Sequence, residues 1–156
     1  MFRGVRGAVE AGQGWYRTTP MNWPPNEECP CHSGTKYKRC CRPLHRGSAA
    51  ETPAALMRSR FSAFACGLSR HVMDTTHPDG TAFEADRAAW ERSIQTFSDG
   101  IEFAGLEILS SDIDGDEGHV SFRAMLLHAG KDASFTEHSR FLKEGGRWLY
   151  HSGTIE

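Results

Sequence analysis

The period of the hydrophobic pattern changes once along this chain, near residue 100. Before that point apolar residues recur at helical spacing, as Trp90, Ile94 and Phe97 do at positions i, i+4 and i+7. Thr52 is a favourable N-cap, and Pro53 suits the first position of a helix. The pattern predicts three helices, over residues 52–67, 69–75 and 84–97.

Beyond residue 100 apolar and polar residues alternate, which is typical of strands with one buried face. Turn sequences rich in Gly and Asp divide this part of the chain. The predicted strands cover residues 101–111, the stretch around 120–126, and residues 135–143 and 147–155. Three helices followed by a four-stranded antiparallel meander make an α+β domain, which we place at residues 52–156.

The part before this domain divides into a tail and a cysteine module. Residues 1–25 are rich in Gly and Arg at their start and show no period, so we expect a disordered tail. Met21 directly precedes an ordered-looking Trp-Pro-Pro sequence and is a candidate initiator. The cysteine module covers residues 26–47, and residues 47–49 are expected to form a short linker.

Composition indicates a globular protein of the cytoplasm. Hydrophobic residues make up 38% of the chain and charged residues 24%, which suffices for a core. No apolar stretch approaches the ~20 residues of a membrane helix, and Gly and Arg interrupt the N-terminus where a secretory signal would lie. In the cytoplasm the five cysteines stay reduced, so clustered ones are better read as metal ligands than as disulfides.

Four of these cysteines lie within thirteen residues, at Cys29, Cys31, Cys40 and Cys41. Four thiolates suit a tetrahedral soft-metal site, and the closed shell argues against catalysis at the metal. Zinc is the predicted ion, with iron as the alternative because thiolates also hold ferrous iron. Adjacent cysteines face one point only if the chain turns between them, so we expect a turn or a short helix end there.

Charge is distributed unevenly along the chain. Residues 1–48 carry eight Lys or Arg and three acidic residues, whereas the remainder carries ten basic and seventeen acidic residues. Part of the excess lies among the cysteines, at Lys36, Lys38, Arg39 and Arg42. These residues compensate the negative charge of a thiolate cluster, and they are also candidate contacts for a partner.

The cysteine sequence resembles the SEC-C motif, the small zinc module at the C-terminus of the preprotein translocase motor, whose common form is C-P-C-G-S-G-x-x-Y-K-x-C-C. All four ligands match, and His32 stands where the family has Gly, which we interpret as an exposed loop residue. Over residues 27–153 the chain resembles the YchJ-type SEC-C proteins. That resemblance implies a nuclear-transport-factor-2-like (NTF2-like) cone behind the module, and metal binding, but no settled biochemical role.

Two charged residues fall at positions that the pattern buries. Arg60 lies within the apolar stripe of the first predicted helix, and Glu137 shares a strand face with Phe135 and Phe141. A buried charge needs a partner, so we predict that Arg60 and Glu137 pair. With His77 they are also the candidate residues of a ligand cavity in the cone, although a structural histidine before Pro78 is the simpler interpretation of His77.

Three functions are compatible with these features. The pattern favours a non-enzymatic adaptor whose metal module contacts a protein or ribosome partner. The alternative is a small-molecule-binding protein or enzyme that uses the cavity of the NTF2-like domain. Nucleic-acid binding through the basic head ranks last, because aromatic residues for base stacking are missing apart from Tyr37. An exposed sheet face would favour a homodimer.

Overall fold

The computed structural model describes residues 22–156. Positions 1–21 of the predicted tail, with the candidate initiator Met21, lie outside the described residues. Positions 22–25 correct that prediction, because they belong to the cysteine module. Trp23 Nε1 donates to the Glu28 carbonyl at 2.9 Å, and the Lys38 amide donates to the Pro25 carbonyl at 3.1 Å. Trp23 also packs against the cysteine cluster, which holds this segment in place.

The helical part comprises a 3-10 turn at Tyr37–Arg39 and four α-helices. The helices are α1 (Arg42–His45), α2 (Pro53–Cys66), α3 (Ser69–Asp74) and α4 (Arg87–Gly100). The ends of α2 follow its sequence: Thr52 Oγ1 accepts from the Ala55 amide at 3.1 Å, and Gly67 closes the helix with φ of 70°.

Helix α4 begins three residues later than the pattern predicts. Asp86 is its N-cap, because its Oδ1 accepts from the Ala89 amide at 3.0 Å and satisfies an otherwise unpaired donor of the first turn. At its other end α4 continues through Gly100 and passes directly into the first strand at Ile101. Local capping thus decides the start of this helix.

The sheet consists of β1 (Ile101–Asp114), β2 (Glu117–His128), β3 (Lys131–Asp132), β4 (Phe135–Glu144) and β5 (Arg147–Ile155). Its order is β1-β2-β4-β5, all antiparallel, and the two-residue β3 pairs with β2. The core forms where α2 packs on the inner face of this sheet, around Phe61, Phe122 and Phe141. The predicted α+β architecture, three helices before an antiparallel meander, is confirmed.

Residues 47–49, the predicted linker, are exposed and lie outside any helix or strand. Arg147 Nη2 on β5 donates to the Gly47 carbonyl at 2.9 Å, and Ala50 is buried. Leu44 of α1 packs against the core of the body. These contacts hold both ends of the linker, at Leu44 and Ala50, against the body.

Candidate metal centre

The four predicted ligands converge on one point. Their Sγ atoms lie within 4.8 Å of one another, and those of Cys29, Cys31 and Cys41 are in buried residues. Two separations are resolved in detail: 3.5 Å between Cys31 and Cys40, and 3.9 Å between Cys40 and Cys41. A tetrahedral zinc with Zn–S bonds of ~2.3 Å places its sulfurs ~3.8 Å apart. The donor set and its spacing therefore fit a metal ion of this kind.

A tight reversal after the first cysteine pair builds one half of the site. The Cys29 amide donates to the Thr35 carbonyl at 2.8 Å, and the His32 amide donates to the Cys29 carbonyl at 3.0 Å. Gly34 permits the reversal with φ of 83°, a conformation that residues with a Cβ rarely adopt. The hairpin of backbone bonds therefore presents Cys29 and Cys31 together.

The second half of the site depends on a change of direction between two adjacent residues. Cys40 closes the 3-10 turn through a hydrogen bond from its amide to the Tyr37 carbonyl, at 3.0 Å. Cys41 is the N-cap of α1, and its carbonyl accepts from the His45 amide at 2.9 Å. The chain turns between them as the sequence predicted, so both thiols reach the same point.

The close packing of the four thiols lowers the pKa of two of them and raises the pKa of the other two. Hydrogen bonds from Cys29 and Cys40 lower the pKa of Cys31, and a hydrogen bond from Cys29 is the main cause that brings the pKa of Cys40 to about 7. Contacts with Cys31 raise the pKa of Cys29, and contacts with Cys29 raise that of Cys41. Four thiolates at this spacing require a cation, because their mutual repulsion otherwise keeps some of them protonated.

A buried polar network connects the cluster to the body. The Tyr37 hydroxyl donates to His45 Nδ1 at 2.7 Å, because His45 Nε2 carries the proton that it donates to the Ser59 carbonyl at 2.8 Å. Ser59 Oγ lies 2.9 Å from His71 Nε2 on α3. Burial lowers the pKa of both histidines, to about 3 for His71. Sequence reasoning missed His45 and His71, since neither has a recognisable spacing.

His32 has a second contact that its sequence position does not reveal. It is exposed, as predicted, but its Nε2 lies 3.0 Å from the Phe103 carbonyl oxygen on β1. Its φ of 61° lies in the left-handed region, which explains why glycine suits this position of the motif. Arg58 on α2 makes a second contact between the body and this loop, since its Nη1 donates to the Cys31 carbonyl at 3.2 Å.

The basic residues among the cysteines lie mainly at the surface. Lys36, Lys38 and Arg39 are exposed, and Arg42 is half-buried. Within residues 22–156 none of the four forms a salt bridge. The structure thus brings these cations to the outside of the metal module.

Arg60 and Glu137 are both buried, as predicted, but the predicted direct ion pair is wrong. Arg60 Nη1 donates to the carbonyl of Val72 at 2.9 Å and to the hydroxyls of Thr75 and Thr76, which follow α3. Its Cζ lies 4.8 Å from the ring centroid of Tyr150. Glu137 Oε2 accepts from Ser139 Oγ at 2.5 Å and from the Tyr150 hydroxyl at 3.4 Å. The Tyr150 side chain contacts both charged groups, and carbonyl and hydroxyl oxygens accept the hydrogen bonds of Arg60 in place of a carboxylate.

His77 is a buried residue with partners on both ring nitrogens. Its Nδ1 accepts from the Asp79 amide at 3.0 Å, so its Nε2 carries the proton that it donates to Glu144 Oε1 at 2.7 Å. Its own amide donates to the Tyr150 carbonyl at 2.8 Å. These bonds fix the ring between the loop after α3 and the end of β4, in keeping with a structural histidine.

Within residues 22–156, none of the helices is sufficiently long and apolar to cross a membrane. The chain matches two family descriptions: the middle NTF2-like domain of YchJ over residues 52–153, and the SEC-C motif over residues 26–43. A UPF0225 protein of Deinococcus radiodurans is 40% identical over 135 residues, which cover 85% of this chain and 93% of that protein. A UPF0225 protein of Vibrio vulnificus is 39% identical over 130 residues, covering 81% and 74% of the two chains.

Solved structures agree with the fold. The solution structure of a SEC-C motif containing protein from Rhodopseudomonas palustris is 32% identical and aligns with a TM-score of 0.72, covering 83% of this chain and 99% of that one. A crystal structure of a SEC-C motif containing protein from Psychrobacter arcticus aligns with a TM-score of 0.69 at 22% identity, covering 85% and 84% of the two chains. The second of these likenesses concerns the fold alone.

Proposed function

Because this chain belongs to the YchJ-like family, with a SEC-C motif ahead of the NTF2-like domain, and to the UPF0225 proteins, we propose that it is a non-enzymatic adaptor. Its cysteine module holds a structural metal ion, zinc in preference to iron, and binds a protein or ribosomal partner. The cytoplasm is the proposed compartment, because it keeps the four thiols reduced.

A closed ligand shell supports a structural rather than a catalytic metal. Four cysteines supply the four positions of a tetrahedral site and leave none for a substrate or an activated water. When bound, the ion supplies the positive charge that lets all four thiolates coexist. The protein supplies the geometry: the hairpin presents Cys29 and Cys31, and the turn before α1 presents Cys40 and Cys41.

The observation that carries the proposal is the unpaired positive charge on the outer side of the metal module. Lys36, Lys38 and Arg39 are exposed and form no salt bridge with any described residue. The same module is anchored to the body by the contact of His32 with Phe103 and by the hydrogen bond from His45 to the Ser59 carbonyl. A rigidly held, metal-ordered set of cations suits an acidic partner surface, because it is already ordered before binding.

The test is binding to purified bacterial ribosomes and to lysate proteins at increasing salt, with the metal-loaded full chain. We expect a partner whose capture weakens as salt rises and is lost with Lys36→Glu/Lys38→Glu/Arg39→Glu. The matched control is Lys131→Glu, an exposed lysine on β3 far from the module in sequence, which should leave capture unchanged. A partner that tolerates the triple variant, or no salt-sensitive partner at all, would contradict the proposal.

A ligand site around Tyr150 is the second candidate. What supports it is Arg60 Nε, which is buried and has no hydrogen-bond partner among the described residues, close to the ring that also contacts Glu137. Native mass spectrometry of freshly purified protein tests this. A co-purified small molecule that disappears in Arg60→Met would favour it, and a metal-only mass would count against it.

A further inference from the structure

A cleft of about 630 Å³ lies between the end of the cysteine module and the body. Its walls come from residues 44–50, from α3 and from the start of β5. None of the four cysteines lines it, nor do Arg60, His77 or Glu137. The volume falls within the ~300–1,000 Å³ that is usual for small-molecule sites. The cleft is therefore separate from both sites considered above.

The inner wall of the cleft is apolar. Leu56 and Trp148 are buried there, and Leu44 and Leu68 lie beside them, packed against the core. Trp148 is 3% exposed, and its indole N–H has no acceptor within residues 22–156. The indole nitrogen is itself buried, so Trp148 offers a ligand in the cleft the apolar part of its ring.

The rim of the cleft carries arginines that the protein does not neutralise. The Arg46 side chain makes no hydrogen bond or ion pair with the described residues, and Arg147 makes one, from Nη2 to the Gly47 carbonyl. Arg70 is different, because it lies 3.6 Å from Asp74, which also binds Arg87 at 2.6 Å. Arg46 and Arg147 are thus the guanidinium groups available to a ligand.

The remaining polar groups of the lining leave a small positive excess. Glu91 accepts a hydrogen bond from Ser69 Oγ at 3.3 Å and is the second acid beside Asp74. His45 and His71 add no charge, since burial lowers the pKa of both. Against two acids stand the three arginines of the lining, which leaves one net positive charge. That balance suits a monoanion better than a doubly charged phosphate.

We propose that this cleft binds a small amphipathic carboxylate. The carboxylate pairs with Arg46 and Arg147 at the rim. The apolar body packs on Leu56 and on the ring of Trp148. Because one wall belongs to the module and the other to the body, such a ligand bridges the two parts of the chain.

The test uses aroylalkanoates as probes, namely 3-benzoylpropionate, 4-benzoylbutyrate and 5-benzoylvalerate, with their methyl esters as uncharged analogues. They are titrated into metal-loaded, full-length protein carrying ¹⁵N-labelled tryptophan. We expect a saturable shift of the assigned Trp148 indole resonance for at least one acid, and affinity at least about tenfold lower for its ester.

Two variants separate the cleft from general charge effects. Arg46→Gln should weaken the acid about tenfold, while Arg123→Gln, an exposed arginine of β2 outside the cleft, should leave binding unchanged. Neither variant removes a salt bridge of the described structure. The proposal is overturned if no acid shifts the Trp148 signal, if the ester binds equally well, or if the two variants behave alike.

Discussion

The imidazole Nε2 of His32 lies 3.0 Å from the backbone carbonyl oxygen of Phe103, although 71 residues separate them in sequence. Phe103 precedes an irregularity of β1, where the register with β2 shifts before Gly105. The contact ties the reversal between the cysteine pairs to an edge strand of the sheet. The position of the metal loop relative to the body thus depends on a residue that is not a ligand.

Substitution of His32 separates this contact from the backbone strain at the same position. With φ of 61°, a residue with a Cβ costs roughly 1–2 kcal/mol, and the hydrogen bond returns about 1 kcal/mol. His32→Ala loses the bond and keeps the strain, so we expect it to lower the free energy of unfolding by about 1 kcal/mol. His32→Gly also loses the bond but relieves the strain, so it should unfold closer to wild type.

Urea unfolding of the metal-loaded proteins measures both variants, and the rate of metal loss to a chelator reports on the anchoring itself. Both variants should release metal faster than wild type. If His32→Ala is as stable as His32→Gly, the left-handed conformation does not contribute. If neither releases metal faster, the contact with Phe103 does not anchor the loop.

The cysteine cluster should hold one metal ion per chain. Native mass spectrometry with elemental analysis of protein purified without added metal is expected to find one zinc, or one iron, which the Cys40→Ser/Cys41→Ser variant lacks. Cys66→Ser is the control, since Cys66 is buried in α2 outside the cluster, and this variant should retain the ion. Metal-free wild-type protein with four reactive thiols would contradict the assignment.

The effects of substituting Glu137 and Arg60 on stability should be weakly coupled, because both side chains contact Tyr150. Glu137→Gln is expected to lower the free energy of unfolding by about 1–3 kcal/mol, because a buried acceptor of Ser139 and Tyr150 is weakened. A double-mutant cycle with Arg60→Met should give a coupling of about 1–2 kcal/mol, below the ~3–5 kcal/mol of a broken buried ion pair.

Denaturant unfolding of the four proteins of that cycle measures the coupling, with Glu107→Gln on the exposed side of β1 as the control. The Glu107 variant should be close to neutral. A coupling near zero would mean that the two charges act independently. A value of 3 kcal/mol or more would indicate a direct contact that the structure does not contain.

His71 should make the protein less stable in mild acid. Burial holds its pKa at about 3 in the folded state, below the ordinary value of 6.5. The unfolded chain therefore binds one more proton between these values, so the contribution of His71 is intact above pH 6.5 and is lost as pH falls toward 3. The expected slope is up to about 1.4 kcal/mol per pH unit for this one group.

His71→Gln tests the slope, because its amide nitrogen can still donate to Ser59 Oγ while the titrating group is gone. Urea unfolding from pH 7 to pH 4.5 should show a pH dependence about one proton smaller in this variant than in wild type. His45, whose ring centroid lies 4.8 Å away, is present in both proteins, and its charge is one of the causes that lower the pKa of His71. Equal slopes would show that His71 does not remain neutral in the folded state.

Several features of the structure could be predicted from residues that lie close together in sequence. The ends of α2 depend on Thr52, Pro53 and Gly67, each of which acts on backbone groups within a few residues. The predicted limits of β5 agree with the structure because a Gly-Gly turn and strict alternation mark them. The cysteine cluster was also predictable, since four cysteines within thirteen residues can supply a complete tetrahedral thiolate shell.

The fold class, the cysteine cluster and the burial of Arg60 and Glu137 could therefore be predicted without the structure. Which groups those two charges contact was decided by the tertiary structure, as were the network through His45 and His71 and the cleft beside Trp148. Helix caps, turn residues and hydrophobic alternation depend on interactions between residues that are close together in sequence. The partners of a buried side chain instead come from elements many residues apart, and only the packing of α2 on the sheet brings them together.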